Sequence, residues 1–179
     1  MQQMYCPLSN NNNSNNQKAF IHVFFLKVRT IHMTTGQQEQ QQQLLMKKRD
    51  SIVKKLIEAE NRHDVNASIG AFHTPRIEVL PTEMEHDGRQ AVFELLSGVF
   101  KAFPDFAIEI IKTYHSNDAV ILEAKMKGTH VGEWAGFKST GRKIVISTAF
   151  IFEFDKDQLV CGQVYYDMPT LVNQLSKPK

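Results

Sequence analysis

At Pro104 the hydrophobic period of this chain changes, and that change constrains its fold class more than any other feature. Upstream, apolar residues recur every three or four positions. Ile52, Leu56 and Ala59 fall on one helical stripe with Val53 and Ile57 beside them, and Val92, Leu95, Leu96, Val99 and Phe103 form a second. Downstream the spacing is two. Phe106, Ile108 and Ile110 alternate with Ala107 and Glu109. Val120, Leu122, Ala124, Met126 and Gly128 then face one way, and Glu123, Lys125, Lys127 and Thr129 the other. Helices followed by consecutive strands on short turns predict an α+β fold, with the helices packed on one face of an antiparallel sheet.

The punctuation residues agree with that order. Asn61-Arg62-His63-Asp64 breaks the first helix, Asp64 is placed to cap a short second helix through Phe72, and Pro75 ends it. Ile77–Leu80 reads as a short strand and 81–88 as a loop, with Asp87 as the N-cap of the next helix. Asn117-Asp118 and Asp155-Lys156-Asp157 read as turns. Ile144–Phe154 is apolar on both faces, which predicts a central strand. Leu159–Tyr166 reads as the last strand and 168–175 as a final helical turn. Lys47, Arg49, Lys54 and Lys55 are expected to face water.

Composition bounds the function. With 42% apolar residues and 12 Phe, the 179-residue chain can bury one domain core. A net charge of +2 gives no electrostatic case for nucleic acid. The two cysteines, Cys6 and Cys161, make neither a metal-ligand spacing nor a disulfide framework, which points to a reducing compartment, the cytoplasm. Residues 1–43 stand apart. Fifteen of them are Asn or Gln, so they read as a disordered low-complexity tail and leave 44–179 as the folded domain. The apolar run Ala19–Leu26 is too short to cross a bilayer and ends in Lys27 and Arg29, so no membrane association is expected. Met33 reads as an alternative translation start, which would leave 1–32 outside the working protein.

A set of residues spread along the body carries a family likeness. Asn61, His63-Asp64, Gly88-Arg89, Phe103-Pro104-Asp105, Asp118, Gly128-Thr129-His130, Gly132, Gly136, Thr140-Gly141-Arg142, Asp167 and Gln174-Leu175, in that order and spacing, resemble the SnoaL-like polyketide cyclases. That family lies within the nuclear transport factor 2-like and ketosteroid isomerase-like fold group. The resemblance covers about residues 45–176. It implies a curved antiparallel sheet wrapped by the early helices into a cone, whose open end admits a small apolar ligand. It also implies a homodimer formed through the outer sheet face. In these cyclases an acidic residue near the end of the last strand is the general acid/base of an intramolecular aldol closure, often with a histidine beside it. No metal or organic cofactor takes part. Asp167 and His130 match those positions.

The residue types suit that chemistry. An aldol closure removes a proton beside a carbonyl and later returns one to an alkoxide, and a carboxylate in an apolar pocket has its pKa raised toward neutrality. Asp167 has a second use open to it, as N-cap of 168–175. His130 arrives on the apolar side of its strand, either in the pocket or as a core histidine bonded to a backbone carbonyl. Trp134 sits in the glycine-bearing loop 132–141, as a pocket lid or a packing anchor. By alternation Gln163 and Tyr165 share the Asp167 face, either to orient a substrate oxygen or as a backbone-paired amide and a core ring. Tyr114 continues the Phe106–Ile110 face, either as a donor into the cone or as a core tyrosine with its hydroxyl at the surface. Phe150 stands midway along the penultimate strand, where many relatives carry a polar residue, and makes the pocket drier. Gln163 stands where many carry Trp. Glu83, Glu85, His86 and Asp87 share one short loop without the rigid spacing of a metal site. Two functions follow as expectations. One is a cofactor-free cyclase or isomerase acting on an apolar carbonyl compound; the other is a non-catalytic module that holds a hydrophobic ligand or dimerises on the same fold. Epoxide hydrolase-like chemistry would need a tighter Asp–Arg–Asp arrangement than Asp167 and Arg142 supply.

Overall fold

The computed structural model describes residues 34–176. The Ala19–Leu26 run, Met33 and most of the Asn/Gln-rich tail lie outside the described residues. The first helix, α1 (Thr34–Asn61), takes in the glutamine run 40–43 that was expected to lack structure. Gln, Leu, Met and Lys are all strong helix formers, so local propensity continues upstream of the apolar stripe. Helix α2 (Val65–Gly70) follows, capped as expected by the Asp64 side chain, which accepts from the Ala67 N–H. Next come β1 (Arg76–Val79), β2 (Met84–Asp87), α3 (Arg89–Ala102), β3 (Ala107–His115), β4 (Ala119–Thr129), β5 (Lys143–Asp155), β6 (Gln158–Tyr166) and α4 (Met168–Ser176).

The six strands form one curved, unclosed sheet in the order β2-β1-β6-β5-β4-β3. Every neighbouring pair is antiparallel except β1 with β6. Residues 81–88 are not the expected loop. A 3₁₀ turn at Leu80–Thr82 and a left-handed Glu83 reverse the chain, and Met84–Asp87 pairs back on β1. Its charged side chains suit an edge strand, where they deter pairing with other chains. Gly88, at φ +86°, takes the N-cap position of α3 that was expected of Asp87.

Helices α1 and α3 cover one face of the sheet. Val53, Leu56 and Ile57 from α1 and Val92, Leu96 and Phe100 from α3 are buried in one core with Leu122, Ile146, Phe150 and Phe152 from the strands. Strand β5 is central, but it alternates. Ile144, Ile146, Thr148, Phe150, Phe152 and Phe154 are buried, while Lys143, Val145, Ser147 and Ala149 are exposed. Its outer face is therefore not covered by the described residues, contrary to the two-faced burial its composition predicted.

Two β-bulges decide which side chains enter the core. On β3, Ile110 pairs with Ala124 but Lys112 pairs with Glu123, so Ile111 is an extra residue. On β6, Cys161 pairs with Glu153 but Leu159 pairs with Phe154, so Val160 is extra. Each insertion reverses the facing of every residue beyond it.

Arg49 does not face water as expected; it is 4% exposed. Its Nε donates to Lys156 O at 2.6 Å and its Nη1 to Asn117 O at 2.8 Å, with the guanidinium 5.3 Å from the Phe154 ring centre. It thus ties α1 to the β3–β4 and β5–β6 turns at once. The neighbouring Lys48–Asp157 and Asp50–His115 pairs follow the same geometry. Arg49→Met keeps the apolar stem but leaves both carbonyls without their charged donor. It is expected to cost about 2 kcal/mol, read as a lower urea midpoint at unchanged slope.

Candidate active site

The glycine-bearing signature is a structural interlock between the end of α3 and the end of β4. Asp105 accepts hydrogen bonds from the Thr129 backbone N–H and, at 2.7 Å, from its hydroxyl. The Phe103 ring stacks on His130 at 5.1 Å and meets Trp134 edge-on at 5.6 Å. The Val131 and Gly132 N–H groups both donate to Ala102 O. A Cβ at Gly132 would lie 2.9 Å from Ala102 Cα and 2.9 Å from Lys101 O, so only glycine allows this approach.

Beside this interlock the helices and the inner sheet face enclose an apolar cavity of about 120 Å³. Aromatic and aliphatic side chains make most of its wall, among them Phe103, Met126, Trp134, Phe150 and Val164. Its volume is near the ~150 Å³ of engineered apolar cavities that admit a benzene-sized guest. Two polar side chains line it, Glu60 and Tyr166.

Glu60 closes the last turn of α1 and extends the face of Val53, Leu56 and Ile57 into the core; it is 8% exposed. The helix end around it is fixed. Asn61 makes a two-way bond with the Ile108 backbone, at 3.0 and 2.7 Å. His63, at φ +56°, contacts Phe106 O through Nε2 at 3.0 Å and stacks on Phe100. Burial pushes the Glu60 carboxyl up to about 7, with no charge or hydrogen bond opposing it. The Tyr166 hydroxyl is buried without a partner, and burial raises its pKa too. One apolar cavity with room for a small guest is thus lined by a carboxyl that is half ionised near neutrality and by a free hydroxyl donor, the residue types that acid/base chemistry uses.

The sequence-derived site residues are dispersed. Asp167 stands outside the cavity, exposed, accepting from the Thr170 N–H at 2.8 Å as the N-cap of α4. That bond lowers its pKa. Asp167→Asn, another good capping residue, is expected to leave the melting temperature nearly unchanged, and Asp167→Ala to lower it measurably. His130 is fully buried, with Nδ1 3.1 Å from Thr140 Oγ1 and Nε2 unpartnered. Burial lowers its pKa, partly offset by the Gly132 backbone. It stacks on Phe103, which lines the cavity, but neither His130 nor Asp167 is itself in the wall, so the two do not share this pocket. Trp134 and Phe150 do line the cavity.

Tyr165, Gln163 and Tyr114 are on the opposite sheet face from the one expected. Tyr165 donates to Gln163 Oε1 at 3.3 Å, Gln163 to Glu78, and Tyr114 to Glu123. The bulges explain all three: the one at Val160 turns Tyr166 inward in place of Tyr165, and the one at Ile111 turns Tyr114 outward. Arg142 does not line the cavity. Glu60 was missed, although its spacing from Val53, Leu56 and Ile57 marks the buried face of α1.

Among the described residues no helix is long and apolar enough to cross a membrane. Three comparisons place the chain among known proteins. Comparison with curated proteins gives no match. Among solved structures, a Jannaschia sp. CCS1 protein assigned as a SnoaL-like polyketide cyclase is 15% identical, with a TM-score of 0.67 over 74% of this chain and 94% of its own. A ketosteroid isomerase-like protein from Catenulispora acidiphila DSM 44928, solved with trimethylamine, is 18% identical, with a TM-score of 0.61 over 71% of this chain and 93% of its own. SalBIII, an epoxide hydrolase/cyclase-like enzyme of pyran ring formation in polyether salinomycin, is 18% identical, with a TM-score of 0.60 over 70% and 95%. At these identities the likeness shows the fold, ketosteroid isomerase-like and nuclear transport factor 2-like. The family model for SnoaL-like polyketide cyclase matches residues 50–175, and the chain belongs to that family.

Proposed function

We propose that this protein is a cofactor-free cyclase or isomerase of small apolar carbonyl compounds, with Glu60 rather than Asp167 as its acid/base. The observation that carries the reading is the Glu60 carboxyl, alone in an apolar cavity with its pKa at about 7. Membership of the cyclase family supports it. Ionised Glu60 takes a proton from the carbon beside a carbonyl, and the C–H pair moves to the oxygen as an enolate. The Tyr166 hydroxyl donates a hydrogen bond to that oxygen. In a cyclisation the enolate carbon attacks a second carbonyl carbon of the same molecule, and the new alkoxide takes back the proton held by Glu60. In an isomerisation the proton returns to a different carbon. Protons and electrons balance in both cases.

The test is deuterium exchange at the carbon beside the carbonyl of cyclohexanone, followed by NMR in D₂O. Wild type is expected to accelerate exchange, with a rate that rises through the titration of Glu60 near 7 and then levels. Glu60→Gln is expected to lower it by about 100-fold or more. Absence of wild-type exchange, or undiminished exchange in the variant, would leave a binding module without this chemistry.

A further inference from the structure

The same cavity has a charge asymmetry that proton transfer to and from a ketone does not require. Of its lining residues only Glu60 can carry charge near neutral pH, since the Tyr166 phenol is raised and stays protonated, and no Lys, Arg or His lines the wall. The rest of the wall is rich in rings, among them Phe100, Phe103, Phe150, Trp134 and Tyr166. Burial alone shifts the Glu60 carboxyl, with no charge or hydrogen bond contributing. Aromatic faces attract a cation through their quadrupole, most strongly where water is excluded. A buried carboxylate without a counter-ion is in turn stabilised by a cation brought to it. An anionic guest would meet repulsion from the ionised carboxylate and find no cationic partner in the wall.

We infer that this cavity binds small tertiary or quaternary ammonium ions, held by the Glu60 carboxylate and the surrounding aromatic rings. The inference stands on the location of Glu60 and the rings, and does not depend on the acid/base reading. Ammonium ions would also compete with a carbonyl guest for the same space. Since the cation needs the ionised carboxylate, binding is linked to proton release. At a Glu60 pKa of about 7, affinity is expected to be about tenfold weaker at pH 6 than at pH 8. The other ionisable group in the wall, the Tyr166 phenol, is raised by burial; His63, on the turn after α1, is held by Phe106 O and Phe100.

The chain carries one Trp, and Trp134 lines the cavity, so intrinsic fluorescence reports on it. The experiment titrates the full chain with tetramethylammonium chloride at pH 6 and pH 8, with sodium chloride as ionic-strength control. tert-Butanol serves as a neutral guest of similar size. The expected result is saturable binding, about tenfold tighter at pH 8, at least tenfold tighter than tert-butanol, and weakened at least tenfold in Glu60→Gln. Thermal melts confirm that the variant is folded, and the wild-type pH dependence tests the inference without it. No binding, equal affinity for tert-butanol, or binding that ignores pH would overturn it. Ketone exchange without ammonium binding removes this inference and leaves the proposed function standing; binding without exchange does the reverse.

Discussion

Glu60→Gln is expected to make the protein more stable at pH 8 while removing the ketone exchange proposed for Glu60. The Glu60 carboxyl goes from 4.5 in an ordinary setting to about 7 in the folded cavity, because burial penalises its charge. A raised carboxyl means that the folded state binds this proton more tightly than the unfolded chain. Its effect on stability is therefore most favourable below pH 4.5, is lost progressively between 4.5 and about 7, and is flat above. The shift corresponds to about 3 kcal/mol at pH 8. Glutamine has nearly the same shape and carries no charge, so the variant avoids that penalty. The two proteins should have similar urea-derived stabilities at pH 4 and diverge as the pH rises, with the variant higher by about 3 kcal/mol at pH 8. Other groups titrating in the window cancel in the difference. A gain of stability together with a loss of the proposed ketone exchange is what a destabilised functional group predicts. A variant that is less stable at pH 8 would mean that Glu60 is a structural partner, and would sink the acid/base reading with it.

The second large effect is expected at Gly132. Gly132→Ala puts a methyl group 2.9 Å from Ala102 Cα and 2.9 Å from Lys101 O, both backbone atoms that cannot rotate away. Something must shift, either the end of α3 or the strand exit at Val131, and the bonds from Val131 and Gly132 to Ala102 O lie across that junction. Overpacking of this kind costs about 1–3 kcal/mol. The larger Gly132→Val change is expected to exceed that range. The damage should reach the cavity, because Phe103 and Trp134 line it from the two sides of the junction. The checks are a lowered melting temperature and a shifted Trp134 emission in Gly132→Ala. Unchanged values for both would show that the approach of these two segments is not tight in solution.

Much of the fold was legible locally. The alternation from Val120 to Gly128 placed His130 on the buried side, and it is fully buried. Asp64 was readable as a cap because its type and position satisfy the first N–H groups of α2. The family signature was legible too, but it marks the interlock around Phe103, Thr129 and Gly132 rather than the two polar groups in the cavity. The site was less legible for two physical reasons. A bulge adds one residue without disturbing composition or turn signals, so the face continued from Phe106–Ile110 assigned Tyr114 inward, and Gln163 and Tyr165 were assigned inward because they were counted from Asp167, which itself faces out. A charged side chain on a helix is usually solvated, so Arg49 read as a surface residue and Glu60 drew no notice.

What the sequence by itself determined is the class of the fold, the chain order of its helices and its four long strands, and the family. These rest on periodicity and punctuation, which short stretches of chain carry on their own. Only the tertiary structure decided the parallel pairing of β1 with β6, the two bulges and the burial of Glu60. Each depends on segments far apart in the chain: Glu60 acquires its shifted pKa from a wall that runs on through Leu171. Desolvation is a property of the assembled enclosure, and no single element encodes it.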